Sequence, residues 1–464
     1  MQICCMPYRP LRALGFALTA ALWIGLTAAP PAAAQPSPRA RLLMPQDHGA
    51  PSQLPTGSRY LPRRDQLVES GIYRLDGVDA SLPQNDLQPL RHILEGAQVV
   101  GLGESFHTSG GYYAMKHRLF RFMVEEMGFR AFAMETPWHY AQVTGQYVAT
   151  CQGSVNNAMR YIFGVWASTE TGALLEYMCS WNQQHPDDPI TFFGFDTQQP
   201  EADGPALISF LQANGVAAGD PRIAAIRRCD SVVSSPYPNP VSDADNQACL
   251  VGLDAADQLL TEMDGTASVQ SSREDVEWAK IRAIGLRAWQ GQAYWETRDF
   301  PRAFSSRDRG MASALQRIRK LLVGSQKTAV WAHNFHIAKG SLVNGPYQIM
   351  GDWLEQELGH RYANVALIAY HVELEWPWIG YCGTLNAFPQ WSTEWYLQPL
   401  GEPYLLVDLD FNGTNAAHPS YIDPMEWLIL GYDDFILGEQ FDALIYMERS
   451  RAMTPVYWQP CHQS

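Results

Sequence analysis

The stretch that decides the fold is GLGESFHTSGGYYAMKHRLFRFMVEEMGFRAFAMET, from Gly101 to Thr136. The short apolar run at its start ends on Glu104, and His107 follows three residues later. A segment with the spacing of an amphipathic helix comes next, and a second apolar run ends on Glu135. This alternation is typical of a parallel sheet, in which ligands bind at the carboxyl ends of the strands. The stretch therefore predicts an α/β enzyme with polar groups at that edge.

Short apolar runs of this kind recur along the chain, between segments with helical spacing. They are Gln98–Gly103, Phe129–Met134, Ile190–Phe195, Thr328–Ala332, Asn364–Ala369, Tyr404–Asp408 and Asp442–Met447. Most of them are continuously apolar, as expected of strands that are covered on both faces. The pattern predicts an α/β fold with a largely parallel central sheet flanked by helices.

A long interruption, from about residue 200 to 326, separates the third apolar run from the fourth. Three of its segments have helical spacing: Ala206–Asn214, Asp245–Met263 and Ser272–Thr297. We expect a helical insertion over the carboxyl ends of the strands, within one α/β domain that spans residues 67–464. The tryptophan side chains of the insertion either pack between helices or line a substrate pocket.

The first 34 residues have the pattern of a secretory signal peptide. Basic residues precede an apolar stretch from Leu14 to Leu26, and Ala32–Ala34 supplies the small residues of a cleavage site. An uncleaved membrane anchor is the alternative, although the stretch is short for a bilayer span. Residues 35–66 are rich in Pro, Ser, Arg and Gln, which favours a flexible amino terminus. We expect a periplasmic or secreted protein without stable membrane insertion.

Six cysteines follow the expected signal peptide, and an even number in an exported protein favours disulfides. Sequence alone does not select among the possible pairings. Proximity along the chain favours three of them: Cys151 with Cys179, Cys229 with Cys249, and Cys382 with Cys461.

The composition restricts the class of partner. The formal net charge is −15, and no lysine- or arginine-rich run occurs. Proteins that bind nucleic acid need clustered cations to neutralise phosphates, so nucleic acid is excluded as a partner. An apolar share of 46% is enough for a large core. A neutral or cationic small molecule fits this charge, and no motif implies a cofactor.

Ionisable side chains follow several of the predicted strands. The first strand leads to Glu104 and His107, and the second ends at Glu135. The fourth ends in AHNFH, which supplies His333 and His336. Because charged groups are rarely placed together at a sheet edge without a partner or a task, we predict that these residues form a catalytic site.

Two further charged residues are weaker candidates. Asp196 ends the third apolar run, where a carboxylate commonly does no more than cap the next turn. Arg307 lies in SSRDRGMASALQRI, at the start of a predicted helix that leads into the fourth strand. It lies either on the surface or at the strand ends, where its guanidinium would bind an anion or oxyanion.

This set of residues fits two kinds of hydrolysis. In the first, a neutral imidazole takes a proton from the water that attacks a carbonyl, while cations or imidazole N–H groups stabilise the oxyanion. In the second, the histidines and carboxylates bind a divalent metal that acidifies water. The spacings E-x-x-H and H-x-x-H permit metal binding but lack the H-E-x-x-H signature. We favour the metal-free scheme.

A serine nucleophile and a non-catalytic role are also open. Ser105 could be the nucleophile, since G-E-S-F-H begins like the motif G-x-S-x-G, but the final glycine is missing. A non-catalytic, envelope-associated binding protein could use the same scaffold. The retained acid and histidine side chains argue against a binding protein.

Six motifs, in order, carry a resemblance to a known family. They are GLGESFH, KHRLFRFMVEEMGFRAFAMET, FFGFD, RDRGMA, VWAHNFHIAKG and MGDWLEQELGHRYANVALIAY. Each is weak alone, but in this order and spacing the chain resembles the erythromycin esterase family from about Val99 to Tyr370.

The resemblance implies an α/β hydrolytic fold that is unrelated to the serine α/β-hydrolases. It further implies that His107 activates water without a covalent intermediate and that Glu104 helps to position His107 or the water. Glu135, Arg307, His333 and His336 match the other polar positions around the family's cleft. The best-known members open the lactone ring of macrolide antibiotics, and the family is usually regarded as metal-independent.

The chain departs from the family motif beside the expected base. The usual pattern G-E-x-T-H-G is here G-E-S-F-H-T, with Phe106 in place of threonine and Thr108 in place of glycine. A threonine narrows the backbone freedom that glycine allows and adds bulk. The resemblance therefore implies hydrolysis more firmly than it implies a macrolide substrate.

Overall fold

The computed structural model describes residues 67–68, 71–229, 232, 241–264, 272–340, 347–376, 381–385, 392–409 and 437–460. The expected signal peptide and the amino-terminal segment 35–66 lie outside these residues. The strands of the described chain form one sheet. They are β1 (Ile72–Arg74), β2 (Val99–Leu102), β3 (Phe129–Pro137), β4 (Thr191–Asp196), β5 (Lys327–Trp331), β6 (Tyr362–Trp376), β7 (Tyr381–Leu385), β8 (Tyr404–Asp408) and β9 (Ala443–Ser450).

The α-helices of the described residues lie between these strands. They are α1 (Pro89–Ile93), α2 (Gly110–Met127), α3 (Trp138–Thr150), α4 (Val155–Ala158), α5 (Thr169–Gln184), α6 (Asp203–Ala213), α7 (Pro221–Arg227), α8 (Asp243–Asp264), α9 (Arg273–Trp295), α10 (Phe300–Leu322), α11 (Asn334–Ile337), α12 (Met350–Leu358), α13 (Thr393–Leu397) and α14 (Leu437–Gln440). Short 3-10 turns also occur, and one of them, Gly164–Trp166, contributes to the site described below.

The strand order is β1-β8-β9-β6-β2-β5-β3-β4, and β7 pairs with β6. The six strands from β9 to β4 are parallel, whereas β1, β8 and β7 pair antiparallel with their neighbours. This arrangement confirms the predicted α/β fold with a largely parallel central sheet. Each of the seven apolar runs overlaps one strand. β1 and β7, which the sequence analysis did not predict, have three and five residues.

Helices cover both faces of the sheet, and each face has its own core. On one face, buried residues of α2 and α5 such as Phe120 and Leu175 pack on alternate strand residues. On the other face, Met311 and Leu315 of α10 pack against Ala133 of β3 and Phe193 of β4. Both faces are buried, which is why the strands are continuously apolar.

The region between β4 and β5 contains α6 to α10. Helix α10 packs against the sheet, whereas α6 to α9 enclose a third apolar cluster that includes Leu207, Ile223, Leu253 and Leu286. The amino-terminal half of α10 lies at the carboxyl ends of the strands, since Arg307 contacts Asp196 at the end of β4. This placement brings α10 into the candidate site.

Two glycines let α11 approach the end of β2. A Cβ atom at Gly103 would lie 1.9 Å from Oδ1 of Asn334, and one at Gly101 would lie 2.9 Å from Cβ of Ile337. Both contacts are shorter than side chains tolerate, so the glycines of GLGE let α11 lie directly beside the loop that follows β2.

Two of the expected disulfides are present. Cys151 bonds to Cys179, which joins the end of α3 to α5, and Cys229 bonds to Cys249, which joins the end of α7 to α8. The third expected pair includes Cys461, which lies outside the described residues. None of the helices in the described ranges is both long and apolar enough to cross a bilayer.

Candidate active site

The candidate site lies at the carboxyl edge of the sheet, where β2, β5, β3 and β4 are adjacent. The register aligns Leu102 of β2 and Met134 of β3 with Trp331 of β5. The residues that follow these three positions therefore emerge side by side. All six residues predicted for the site lie at this edge or in the amino-terminal half of α10, and they form two neighbouring clusters.

The first cluster is centred on Glu104, whose side chain is fully buried. Its Oε1 accepts hydrogen bonds from Nδ1 of His107 at 2.7 Å and Nε1 of Trp166 at 2.8 Å. Its Oε2 accepts a hydrogen bond from Nζ of Lys116 at 2.6 Å. Burial would raise the pKa of Glu104, but the charge of Lys116 and the hydrogen bond from His107 outweigh it and hold the pKa below its ordinary value. Glu104 is therefore a carboxylate that orients its neighbours.

The contact with Glu104 fixes the tautomer of His107. Because Nδ1 carries the proton that it donates to the carboxylate, the lone pair of the neutral imidazole lies on Nε2. The ring also packs edge-on against Trp166 and His333, at centroid distances of 5.4 and 5.3 Å. About a fifth (19%) of the side chain is exposed. A ring that is held this way, with its basic nitrogen turned from the carboxylate, has the geometry of a general base.

Lys116 and Trp166 belong to this cluster, although the sequence analysis did not identify them. Lys116 is fully buried on α2 and lies over the ring of Trp331, with Nζ 4.3 Å from the ring centroid. Burial lowers its pKa to about 8, against the opposing effect of Glu104. The sequence does contain a signal for Lys116, because this lysine stands among the apolar positions of α2. For Trp166, in the Gly164–Trp166 turn, the sequence offered no comparable signal.

The second cluster is centred on Arg307, which is buried about two turns into α10. Its Nε and Nη2 donate to Asp196 at 3.2 and 2.6 Å, and Nη2 also donates to Oε1 of Glu135 at 2.7 Å. Arg307 therefore faces the strand ends rather than the surface. Its guanidinium joins β3, β4 and α10 through charge-assisted hydrogen bonds.

His336 and Arg307 together keep Glu135 ionised. Burial would raise the pKa of Glu135, but His336 and Arg307 outweigh that effect and hold the pKa well below its ordinary value. Its second oxygen, Oε2, accepts the backbone N–H of His333 at 3.1 Å. Glu135 is thus an ionised carboxylate with partners on both oxygens.

His336 lies between two carboxylates. Its Nδ1 is 3.0 Å from Oδ2 of Asp308, and its Nε2 is 3.3 Å from Oε1 of Glu135. Burial would lower the pKa of this imidazole, but Asp308 and Glu135 raise it to about 9. The 3.0 Å separation between Nη1 of Arg307 and Nε2 of His336 would also suit a neutral ring. We assign the imidazolium, because a carboxylate faces each of the two ring nitrogens. With a neutral ring, the buried carboxylates of Glu135, Asp196 and Asp308 would be balanced by Arg307 alone.

Asp308 is a member of the site that the sequence analysis did not assign. It is fully buried, and in addition to its contact with His336 its Oδ2 accepts the backbone N–H of Met350 at 2.9 Å. Adjacent positions on α10 thus hold opposite charges, with Arg307 directed to the strand ends and Asp308 to His336.

His333 connects the two clusters through its backbone and ring. The ring lies against His107, and its Nε2–H donates to the carbonyl of Ser105 at 2.8 Å. Its Nδ1 accepts the backbone N–H of Phe335 at 3.2 Å, at the start of α11. Burial, with His107 and His336 nearby, lowers the pKa of His333 to about 3, so the ring is neutral. With both nitrogens bound to the backbone, His333 is placed to hold the loops together.

The contacts of Ser105, Arg307 and His336 are relevant to two alternatives, a serine nucleophile and a bound metal ion. The hydroxyl of Ser105 donates to the carbonyl of Leu367 at 2.8 Å, so a backbone carbonyl rather than an imidazole holds its proton. Across the described ranges, no group of three or more His, Cys, Asp and Glu side chains is arranged to hold a metal ion. The guanidinium of Arg307 occupies the space between Glu135 and Asp196, and an imidazolium at His336 has no lone pair for a metal.

One tryptophan of the insertion, Trp278, lies away from the two clusters at the strand ends. Trp278 lines a cavity of about 700 Å³ that is bounded by the amino-terminal half of β4 and by Leu322 at the end of α10. Its lining includes residues 190–194 but not Asp196 or any other residue of the two clusters. Trp278 is therefore not part of the strand-end site.

Comparison with known proteins agrees with this architecture. The sequence model of the family described as erythromycin esterase matches residues 124–450. "Putative hydrolase YbfO" of Bacillus subtilis (strain 168) is 24% identical over 428 residues, which cover 83% of this chain and 90% of that protein. Erythromycin esterase type II of Escherichia coli is 29% identical over 112 residues, which cover only 24% of this chain and 26% of that protein.

Solved structures show the same fold. A Bacillus cereus protein has a TM-score of 0.69 at 19% identity, with 85% of this chain and 100% of that chain covered. A mutant of the erythromycin esterase EreC in its open conformation has a TM-score of 0.67 at 16% identity, with 83% and 100% covered. At these identities the likeness concerns the fold alone.

The chain belongs to the erythromycin esterase family, because the family match spans most of its length. This membership confirms the resemblance seen in the sequence motifs. The family and the relatives indicate a hydrolase. Glu135, Arg307, His333 and His336 lie within the matched residues, whereas Glu104 and His107 precede them.

The free energy of unfolding is expected to carry a contribution from His336 that disappears at alkaline pH. The folded pKa of about 9 lies above the ordinary value of 6.5, so the folded state binds this proton more tightly than the unfolded state. The stabilisation is fully present below pH 6.5 and is lost as the pH rises through 9. Lys116 has the opposite effect on the free energy of unfolding. Its folded pKa is lowered from 10.5 to about 8, so its contribution to stability increases as the pH rises.

The difference between the wild type and His336→Gln isolates the effect, since glutamine does not titrate and Lys116 is common to both proteins. Urea unfolding should show this difference shrinking from about pH 6 to pH 10. A difference that stays constant over that range would mean that His336 is neutral in the folded protein.

Proposed function

We propose that the protein is an exported hydrolase that cleaves a carboxylic ester or lactone by direct attack of water, with His107 as the general base. The observation that carries this proposal is the hydrogen bond between Nδ1 of His107 and the buried Glu104. It leaves the basic lone pair on Nε2 of a partly exposed ring. General-base catalysis by a positioned side chain contributes about 10²- to 10⁴-fold to the rate of the reaction.

The second cluster contains two fixed cations among three carboxylates, so N–H groups directed at the oxyanion, rather than a net positive charge, would be its contribution to such a reaction. As water attacks the carbonyl, negative charge develops on the carbonyl oxygen, and fixed cations in a buried setting stabilise it. Arg307 and the imidazolium of His336 are the cations of the second cluster. We propose that they bind the oxyanion, and that Glu135 and Asp308 hold them in place. The contacts of His333 support a positioning role rather than a direct contact with substrate.

Two observations support the metal-free scheme over a metal-dependent one. Arg307 is bonded to both Glu135 and Asp196, and each ring nitrogen of His336 faces a carboxylate, for which we assign the imidazolium. A divalent metal at this position would have to displace the guanidinium. The proposal therefore assigns charge stabilisation to the protein's own cations.

Hydrolysis is tested with a panel of macrolides, simple lactones and aryl esters, read by mass spectrometry for the addition of one water. The proposal expects turnover of at least one ester or lactone, and the substrates cleaved define the class, including whether macrolides belong to it. The same assay after chelation separates the two schemes. Activity that vanishes with chelator and returns with added metal would establish the metal-dependent scheme, and an inactive protein across the panel would favour the non-catalytic binding protein.

Export is part of the proposal. The disulfides Cys151–Cys179 and Cys229–Cys249 support an oxidising compartment, where such bonds persist. Amino-terminal sequencing of the protein from the periplasm or medium is expected to give a chain that begins near Gln35. An intact amino terminus in the membrane fraction would indicate an uncleaved anchor instead.

A further inference from the structure

The residue after the proposed base has an unusual backbone conformation. Thr108 has φ 62°, in the left-handed region that β-branched residues rarely adopt, and it is fully buried. Glycine, which the family motif has at this position, adopts this conformation without strain. A threonine stays there only where surrounding contacts hold it. The contacts of Thr108 therefore set the direction in which the loop presents His107.

Three contacts hold Thr108 from three different elements. Its N–H donates to the hydroxyl of Tyr113 at 2.6 Å. Its carbonyl accepts the backbone N–H of Met453 at 3.1 Å, and its Oγ1 accepts the backbone N–H of Glu375 at 3.3 Å. Of these partners, only Tyr113 acts through a side chain, so a single substitution can remove that contact alone.

The hydroxyl of Tyr113 makes a second hydrogen bond. It donates to the carbonyl of Val165 at 2.8 Å, and the side chain is fully buried on α2. Burial, with Glu104 nearby, raises the pKa of Tyr113 well above its ordinary value, so the hydroxyl keeps the proton that it donates. Tyr113 thus joins the loop of His107 to the loop that carries Trp166.

These contacts close a ring around the proposed base. Trp166 follows Val165 directly and donates to Oε1 of Glu104, the oxygen that also accepts the proton of His107. The ring runs from His107 to Thr108, across the Tyr113 hydroxyl to Val165 and Trp166, and back through Glu104. Each link is either a covalent connection or a hydrogen bond of 2.6 to 2.8 Å.

We infer that Tyr113 is a positioning residue: its hydroxyl locks the left-handed turn at Thr108 to the Trp166 loop and thereby fixes the Glu104–His107 pair in its hydrogen-bonded geometry. The inference rests on the proposed role of His107. The Tyr113 hydroxyl bonds to Thr108 and Val165, so it acts through the two loops that hold the pair. Loss of the Tyr113 hydroxyl should therefore shift the imidazole of His107 from its position, while the imidazole itself is still present.

The test substitutes Tyr113→Phe, which removes the hydroxyl and keeps the ring. We expect kcat to fall by about 10- to 100-fold, the size of effect that a small misplacement of a catalytic group produces, while KM changes little. The Nδ1–H proton of His107, assigned by its absence in His107→Ala, should shift or broaden in the proton NMR spectrum. This resonance is measured without substrate, so it reports on Tyr113 even if the wild type cleaves none of the esters tested.

Tyr446→Phe is the matched control. Tyr446 is also fully buried, and its hydroxyl donates to Glu448 at 2.6 Å, on β9 and away from the pair. It should lose stability by a similar amount but keep both kcat and the His107 resonance. A folded Tyr113→Phe protein with wild-type kcat and an unchanged resonance would overturn the inference, as would an equal loss of kcat in the control.

Trp166→Phe provides a second variant, since it opens the same ring at its other side. It should also alter the His107 resonance, and it serves as the test if Tyr113→Phe does not fold. If both fold, the double variant should lose less activity than the product of the two single losses, because the ring is already open. Fully multiplicative losses would show that the two side chains act separately.

Discussion

Replacing His107 with alanine is expected to lower kcat/KM for ester hydrolysis by about 10³-fold while the protein stays folded. The loss follows from removal of the group that accepts the proton of the attacking water. Trp166 and Lys116 still bind the carboxylate of Glu104 in the variant, so the loop keeps most of its contacts. Steady-state kinetics measure the loss, and circular dichroism with thermal unfolding establishes the fold.

His92→Ala is the control for this experiment. His92 also faces a glutamate three residues away, with Nδ1 3.8 Å from Glu95, but its side chain is 87% exposed on the surface. It should retain wild-type kinetics. If folded His107→Ala retained more than about a tenth of the wild-type kcat/KM, His107 would not be the general base.

Replacing Arg307 with alanine is expected to destabilise the protein by about 3 to 5 kcal/mol, the usual cost of leaving a buried charge without its partner. Glu135 and Asp196 would lose their common guanidinium, and both are buried. Urea unfolding measures the change. Arg307→Lys should recover only part of the loss, because an ammonium cannot reproduce the forked contacts to both carboxylates.

Arg287→Ala is the matched control for Arg307. Arg287 also binds two carboxylates, Asp254 and Asp257, at 2.9 and 2.7 Å, but its side chain is 39% exposed. Because water screens such a pair, its loss should change the free energy of unfolding little. An equally small change for Arg307→Ala would show that the Arg307 cluster does not hold the strand ends together.

The sequence predicted the parallel part of the sheet because those strands are buried on both faces. Runs such as Phe129–Met134 and Asn364–Ala369 are continuously apolar for that reason, and each overlaps a strand. β1 was missed because three residues are too few to show a period. β6 extends to Trp376, beyond the predicted end, because its last part pairs with β7. Pairing between distant segments leaves no local signal in the sequence.

The residues of the site were predictable where they directly follow an apolar run of the sequence. Glu104, Glu135 and His333 stand immediately after buried runs, so the register of parallel strands brings them together. Lys116, Trp166 and Tyr113 reach the site from helices and turns. Their roles depend on how α2 packs on the sheet and on where the Gly164–Trp166 turn lies, which local periodicity does not determine.

The sequence placed Arg307 either on the surface or at the strand ends, and the packing of α10 decides between these positions. The helix buries Met311 and Leu315 against the sheet, and Arg307 lies one turn before Met311. Its side chain therefore reaches the strand ends, where Asp196 and Glu135 lie. Only the tertiary placement of α10 distinguishes this role from that of a surface arginine.

The central claim is that water activated by His107 attacks the substrate directly. The most direct measurement is a single-turnover reaction in oxygen-18 water, quenched at successive times and read by mass spectrometry of both the product and the intact protein. The account predicts one oxygen-18 atom in the acid product of the first turnover and an unchanged protein mass at every time. An acyl adduct on the protein, or an unlabelled acid product in the first turnover, would contradict it.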